Sequence, residues 1–104
     1  MGLTIWEDLQ MSFYSVSHWE TTDWTDEMEA LARDKYVPLV KGLGAESVNM
    51  VRTGDRTFIV VTKYADQAAG EAAQARIDEI RTEAAEELPM KMSSVERGST
   101  FASG

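Results

Sequence analysis

The chain has no cysteine, one histidine (His18), two prolines and few cations, 10 lysines and arginines against 18 aspartates and glutamates. Without cysteine there is no disulfide framework, no thiol nucleophile and no thiolate-ligated zinc. One imidazole with scattered carboxylates lacks both the paired histidines of a His-Glu-x-x-His helix and the oxygen-rich loop of a calcium hand, so no metal site is expected. A net charge of -8 withholds the basic surface that phosphate neutralisation needs and argues against nucleic acid as a partner. No run approaches the ~20 apolar residues of a membrane span. Met1 to Asp8 has neither the basic start nor the continuous apolar stretch of a secretory signal, and Trp6 stands where a myristoylation motif needs Ser or Thr. The expectation is a soluble cytoplasmic protein without membrane contact. Gly42-Leu43-Gly44 closes a helix instead of cradling a phosphate, and no Gly-x-Ser-x-Gly elbow occurs.

What is present suits one globular domain over residues 1–104, with a hydrophobic fraction of 43%. Gln10 to His18 alternates small polar residues with Met11, Phe13, Tyr14 and Val16 and reads as a strand. Thr25, followed by Asp26 and Glu27, is a helix N-cap with acids complementing the dipole. Met28, Leu31, Ala32, Tyr36, Leu39, Val40 and Leu43 then mark one helical face. Pro38 interrupts it, predicting a kink or a division into Asp26 to Val37 and a short second piece. Glu46 to Arg52 and Thr57 to Tyr64 are strand-like and joined by Thr53-Gly54-Asp55-Arg56, a hairpin turn. Asp66 to Leu88 is a long helix striped by Ala69, Ala73, Ile77, Ile80, Ala84 and Leu88. Pro89 ends it, Met90 to Val95 reads as a last strand, and Gly98 to Gly104 as a flexible Ser/Gly-rich tail, leaving a core of about 11–95.

This order, strand-helix-strand-strand-helix-strand, predicts an α+β fold: a ferredoxin-like βαββαβ unit with a four-stranded antiparallel sheet and both helices on one face. Its first and third strands are central. Thr57 to Thr62 is apolar on both sides, Phe58 and Val60 pointing one way and Ile59 and Val61 the other. Two helices cover one face only, and the simplest cover for the other is a second copy of the chain. With the Gly44-Ala45-Glu46-Ser47-Val48 join, the pattern over roughly Met11 to Val95 resembles the dimeric α/β-barrel superfamily, which includes antibiotic-biosynthesis-type monooxygenases and stress-responsive barrel proteins. The resemblance implies a homodimer with sheet faces opposed and a small-molecule pocket in each subunit between sheet and helices. It carries no catalytic motif. The Asn, Trp and His constellation of the haem-degrading members has no positional counterpart, and no cofactor is expected.

Among individual residues, His18 is the natural general base, its reference pKa lying near neutrality, although a strand-end histidine is more often merely hydrogen-bonded. Trp6, Trp19 and Trp24 gather around the first strand and its exit, where they wall a flat ligand or, more commonly, fill core or interface. Tyr14 and Tyr64 add phenol groups, and Asn49 a polar candidate if its face lines the pocket. Met50, Met90 and Met92 suit irregular packing. Glu20 to Glu29 carries five acids and Asp66 to Glu87 seven, so the outer faces of both helices are acidic. Arg52, Arg56, Lys63, Lys91 and Arg97 lie on strands or the hairpin, to meet an anionic ligand, a partner's acidic surface or solvent. Two functional readings follow: a small-molecule-binding, cofactor-independent monooxygenase-like enzyme acting on an aromatic or quinone-like substrate, with His18 catalytic and Tyr14, Trp19, Trp24, Asn49 and Tyr64 binding substrate; or a noncatalytic stress-responsive dimerisation or ligand-sensing module. They differ in whether polar groups converge in a cavity of a few hundred Å³ or Met and Leu fill the gap.

Overall fold

The computed structural model describes residues 11–104, so the reading of Trp6 lies outside the described residues. The elements are β1 (Phe13–Thr21), α1 (Asp26–Leu31), a π turn (Ala32–Tyr36), α2 (Val37–Lys41), β2 (Ser47–Arg52), β3 (Thr57–Tyr64), α3 (Gln67–Glu87) and β4 (Met90–Ser99). All neighbouring strands are antiparallel, in the order β2-β3-β1-β4. The expected ferredoxin-like architecture is therefore present, with β1 and β3 central. Two strand limits differ from the expectation. β1 runs on through Trp19 to Thr21, because Glu20 still pairs with Thr57 and Thr21 with Met90. β4 continues past Val95 to Ser99, because the long first strand offers it partners as far as Phe13, and the Thr100 amide donates to the Ser12 carbonyl at 2.8 Å. Within β4 an extra residue, Ser93, bulges where the register shifts between His18 and Trp19.

Local chemistry sets the helix ends. The Thr25 hydroxyl accepts from the Met28 amide at 3.1 Å, and Asp66 Oδ1 accepts from the Ala69 amide at 2.9 Å. Gly44, at φ 101°, turns the chain from α2 into β2 in the left-handed region where only glycine is unstrained. Pro38 does not divide the first helix. The chain stays helical, and the turn before the proline widens so that the Val37 amide donates to the Ala32 carbonyl, five residues back. The widening has a packing consequence. Met28, Ala32, Tyr36 and Val40 are spaced by four, which in a regular α-helix drifts roughly 40° per step. A wider turn takes up part of that drift, and all four reach the same interior space.

The core lies between sheet and helices: Phe13, Tyr64, Tyr36 and Val40 meet Ala73, Ile77, Ile80 and Ala84 of α3. Gly70 permits the closest approach, since a Cβ there would lie 2.5 Å from Phe13 Cδ2 and 3.4 Å from Tyr64 Cδ2. In the sequence this glycine reads only as a weak point in the helix. No helix among the described residues is long and apolar enough to cross a membrane.

Candidate functional site

The register arranges the helix-facing side chains in rows across the sheet. Arg52, Phe58, Trp19 and Met92 form the first; Met50, Val60, Ser17 and Val95 the second; Val48, Thr62, Ser15 and Arg97 the third; Tyr64, Phe13 and Ser99 the fourth. Aromatic rings stand in rows one and four, whereas the central strands carry Ser, Thr and Val in rows two and three. Helices resting on those pillars cannot close onto the small residues between them. The result is a cavity of about 380 Å³ between sheet and helices, within the size range of small-ligand sites.

Its first row is an aromatic stack. Trp19 and Phe58 lie parallel at 6.0 Å, and Trp24 meets Phe58 edge-on at 5.8 Å. The Trp19 indole N–H donates to Ser17 Oγ at 2.8 Å, and the Trp24 indole N–H to Glu29. Arg52 stacks over Trp24, its Cζ 4.1 Å from the ring centroid. Met50, Met90, Val40 and Leu88 make the walls apolar. Ser17, Thr62, Tyr36 and Arg81 bring in polar groups. Arg81 is the least expected. Its side chain is only 15% exposed, hydrogen-bonds Ser15 Oγ at 3.3 Å and has Asp78 at 3.8 Å. Burial, and then the neighbouring Arg97, lower its pKa, with Asp78 acting in the opposite direction. Tyr36 is held from the outside: its hydroxyl donates to Glu87, which also accepts from Lys35 Nζ at 2.7 Å. Burial and then that carboxylate push its phenol up to about 12, so it stays protonated at neutral pH.

The six candidate site residues are divided between the two sides of the sheet. Trp19 and Trp24 line the cavity. Tyr64 faces the helices but belongs to the fourth row, buried beside Phe13 and Gly70 outside the cavity. Its phenol is raised by burial against the opposing pull of Arg81 and Arg97. Tyr14, His18 and Asn49 point to the other face, which no helix among the described residues covers, by strict alternation with buried Phe13, Ser15, Ser17 and Trp19 and with Val48 and Met50. His18 is 41% exposed there, its Nε2 3.4 Å from Glu96 Oε1. A pocket lined jointly by Tyr14, His18, Asn49 and Tyr64 is therefore not formed within the subunit, because one residue of offset along a strand reverses the face. Arg81, Tyr36, Ser17 and Thr62 went unnoticed. For Arg81 a signal exists: it stands four residues after Ile77 and three before Ala84, on the buried stripe of α3, where a charged residue is out of place.

Comparison with solved structures follows this geometry. A protein of unknown function from Nitrosomonas europaea superposes with a TM-score of 0.63 at 21% identity, covering 92% of this chain and 95% of that one. The ActVA-Orf6 monooxygenase of Streptomyces coelicolor, solved with nanaomycin D, gives 0.62 at 17% identity over 94% and 93%. SnoaB, a cofactor-independent oxygenase from Streptomyces nogalater, gives 0.56 at 16% over 89% and 94%. The shared fold is the ferredoxin-like α+β arrangement. A protein described as dimeric and ferredoxin-like from an uncultured marine organism shares it at a TM-score of 0.54 and 7% identity, with 96% of each chain covered. Neither a protein-family model nor a curated protein matches the sequence. At these identities the likeness concerns the fold.

Proposed function

We propose that the chain binds a flat aromatic or quinone-like molecule in the cavity between sheet and helices and acts on it as a cofactor-independent, monooxygenase-like enzyme, working as a homodimer joined through the uncovered sheet face. The observation that carries the reading is the combination of an aromatic first row with a largely buried Arg81 in one cavity. Oxygenation without a cofactor draws its electrons from the substrate, most readily from a carbanion or phenolate. A guanidinium in a low-dielectric site stabilises that anion and, carrying no acceptor, cannot be mistaken for a base. Trp19, Trp24 and Phe58 supply a wall for the ring, and Ser17 and Thr62 supply hydroxyls. Two fold relatives, the oxygenase SnoaB and the monooxygenase ActVA-Orf6, support the direction of the reading.

The position of His18 favours a second reading. The chain's sole imidazole faces away from the cavity, so a general base on the cavity side is not supplied by it, and a ligand-sensing module needs none. Oxygen uptake separates the two. Anthrone, a flat arene with one acidified CH₂, takes up O₂ to give anthraquinone and water, one molecule of each per turnover. We expect 1,4-naphthoquinone to raise the melting temperature, anthrone to support oxygen uptake, and Arg81→Gln to abolish uptake. Stabilisation by the quinone without uptake on any arene carrying an acidified C–H selects the sensing module. Absence of stabilisation by both compounds refutes the cavity as a binding site.

A further inference from the structure

Among the described residues, the charged groups lining the cavity are three arginines, Arg33, Arg52 and Arg81, and a single acid, Glu29, in a chain whose net charge is -8. The acids have been placed elsewhere, on outer helix faces, and the cavity is locally positive, a condition that concentrates anions. The three cations are not equivalent. Arg33 has Asp34 at 3.3 Å, and Arg81 has Asp78 at 3.8 Å and lies at the third row, about 13 Å along the strands from the first. The one lining acid, Glu29, is engaged by the Trp24 indole. Arg52 makes its hydrogen bonds to backbone, Nε donating to the Gly54 carbonyl at 3.1 Å and Nη2 to the Asp55 carbonyl at 2.8 Å. Those bonds and the Trp24 face fix the plane of the guanidinium while using two of its five N–H donors. A pre-oriented cation with donors to spare stands at the exposed end of an aromatic-walled cavity.

Resting on the cavity reading above, the geometry points to Arg52 as the residue that selects a carboxylate on the ligand: the molecule is an aromatic acid, its rings inside against Trp19 and Phe58 and its carboxylate outside on Arg52. The planar fork of a guanidinium matches a carboxylate bidentately, which an ammonium does not. The acid enters ring first, because Trp19 and Phe58 are buried whereas Arg52 is exposed at the mouth.

The test is isothermal titration of the full chain with 2-naphthoate and its neutral isostere 2-naphthamide. In wild type the acid binds about tenfold more tightly than the amide at low salt, and the gap narrows as salt rises. In Arg52→Gln the two bind within about twofold of each other, with the amide's affinity unchanged; in Arg52→Lys part of the preference returns. Arg52 is exposed, so an unchanged melting temperature for both variants is expected and checks the fold. Equal binding of acid and amide by wild type overturns the carboxylate assignment and leaves the cavity reading standing. A preference undiminished in Arg52→Gln overturns the choice of residue and transfers it to Arg33 or Arg81. Absence of binding by both compounds overturns this inference together with the cavity reading.

Discussion

The two faces of the one sheet are built on different plans. On β1 the helix-facing residues Phe13, Ser15, Ser17, Trp19 and Thr21 are all buried, and they mix large rings with small hydroxyls. On the other side the centre is aliphatic: Val16, Ile59 and Val61 are half-buried and Val51 is 45% exposed, with Tyr14, His18 and Asn49 among them. Steps in side-chain size leave a hole, whereas uniform β-branched residues make a flat surface. The first plan suits a ligand, the second another flat surface. The comparison teaches where to look for each activity, because a cavity needs unevenness and a sheet-to-sheet contact needs its absence.

The contrast can be broken most severely from the covered side. Phe13 is a pillar of the fourth row, 7% exposed and in contact range of the Gly70 backbone. Phe13→Ala is expected to cost about 4 kcal/mol, read as a lower urea midpoint at unchanged slope. A loss below about 1 kcal/mol would show that the helices do not rest on this ring. On the uncovered side the expected loss is of association. Ile59→Asp places a carboxylate among Val16, Val51 and Val61 and should weaken the proposed homodimer by about 3 kcal/mol, roughly a hundredfold in dissociation constant. Sedimentation equilibrium at micromolar concentration should then give a mass near 11.6 kDa for the variant and twice that for wild type. A wild-type mass near 11.6 kDa would remove the pairing of uncovered faces altogether.

The same contrast explains how far the sequence could be read. Element order, the Thr25 cap, the hairpin at Thr53-Gly54-Asp55-Arg56 and the doubly apolar β3 are local or periodic signals, and the structure carries them as expected. The length of β4 was not legible, because it depends on β1, distant in sequence; nor was the π turn, because Pro38 signals an interruption without specifying whether the chain kinks, divides or widens. Of the residues the sequence reading assigns to a site, Trp19 and Trp24 line the cavity. Side-chain chemistry singles out Tyr14, His18 and Asn49, yet on a strand the face is set by parity with buried neighbours. Serines 15 and 17 have the parity of the core and look polar, which hid the face they belong to.

A gentler perturbation acts on the first helix, which forms one wall of the covered face. It begins at Thr25, whose hydroxyl satisfies the Met28 amide, and Met28 is buried beside Thr21, its sulfur 3.7 Å from the Thr21 hydroxyl. Thr25→Ala is expected to cost about 1 kcal/mol in thermal or urea unfolding, with Thr25→Ser restoring most of it. Equal losses for both substitutions would assign the effect to the threonine methyl instead of the cap.

The smallest expected effect is electrostatic and sits where the two helices meet over the covered face. Glu87 of α3 accepts from Lys35, which lies 3.3 Å from Glu83 as well, and from the Tyr36 hydroxyl. Lys35 first, and Tyr36 second, hold the Glu87 carboxyl below its ordinary value. A depressed carboxyl binds its proton less tightly in the folded chain than in the unfolded one, whose glutamates titrate near ~4.3. Its contribution is therefore full above that unfolded value and is lost as pH falls towards the lower folded one. The pair is solvent-exposed, so the gain is modest and weakens with salt. Wild type should lose more of its thermal midpoint than Glu87→Gln on acidification from pH 6 to below the glutamate range, the two curves converging at the acid end. Parallel curves over that interval would mean that the clasp between Lys35, Tyr36 and Glu87 does not bind the helices together, and that the wall beside Tyr36 is held by the core stripe of Met28, Ala32 and Val40 alone.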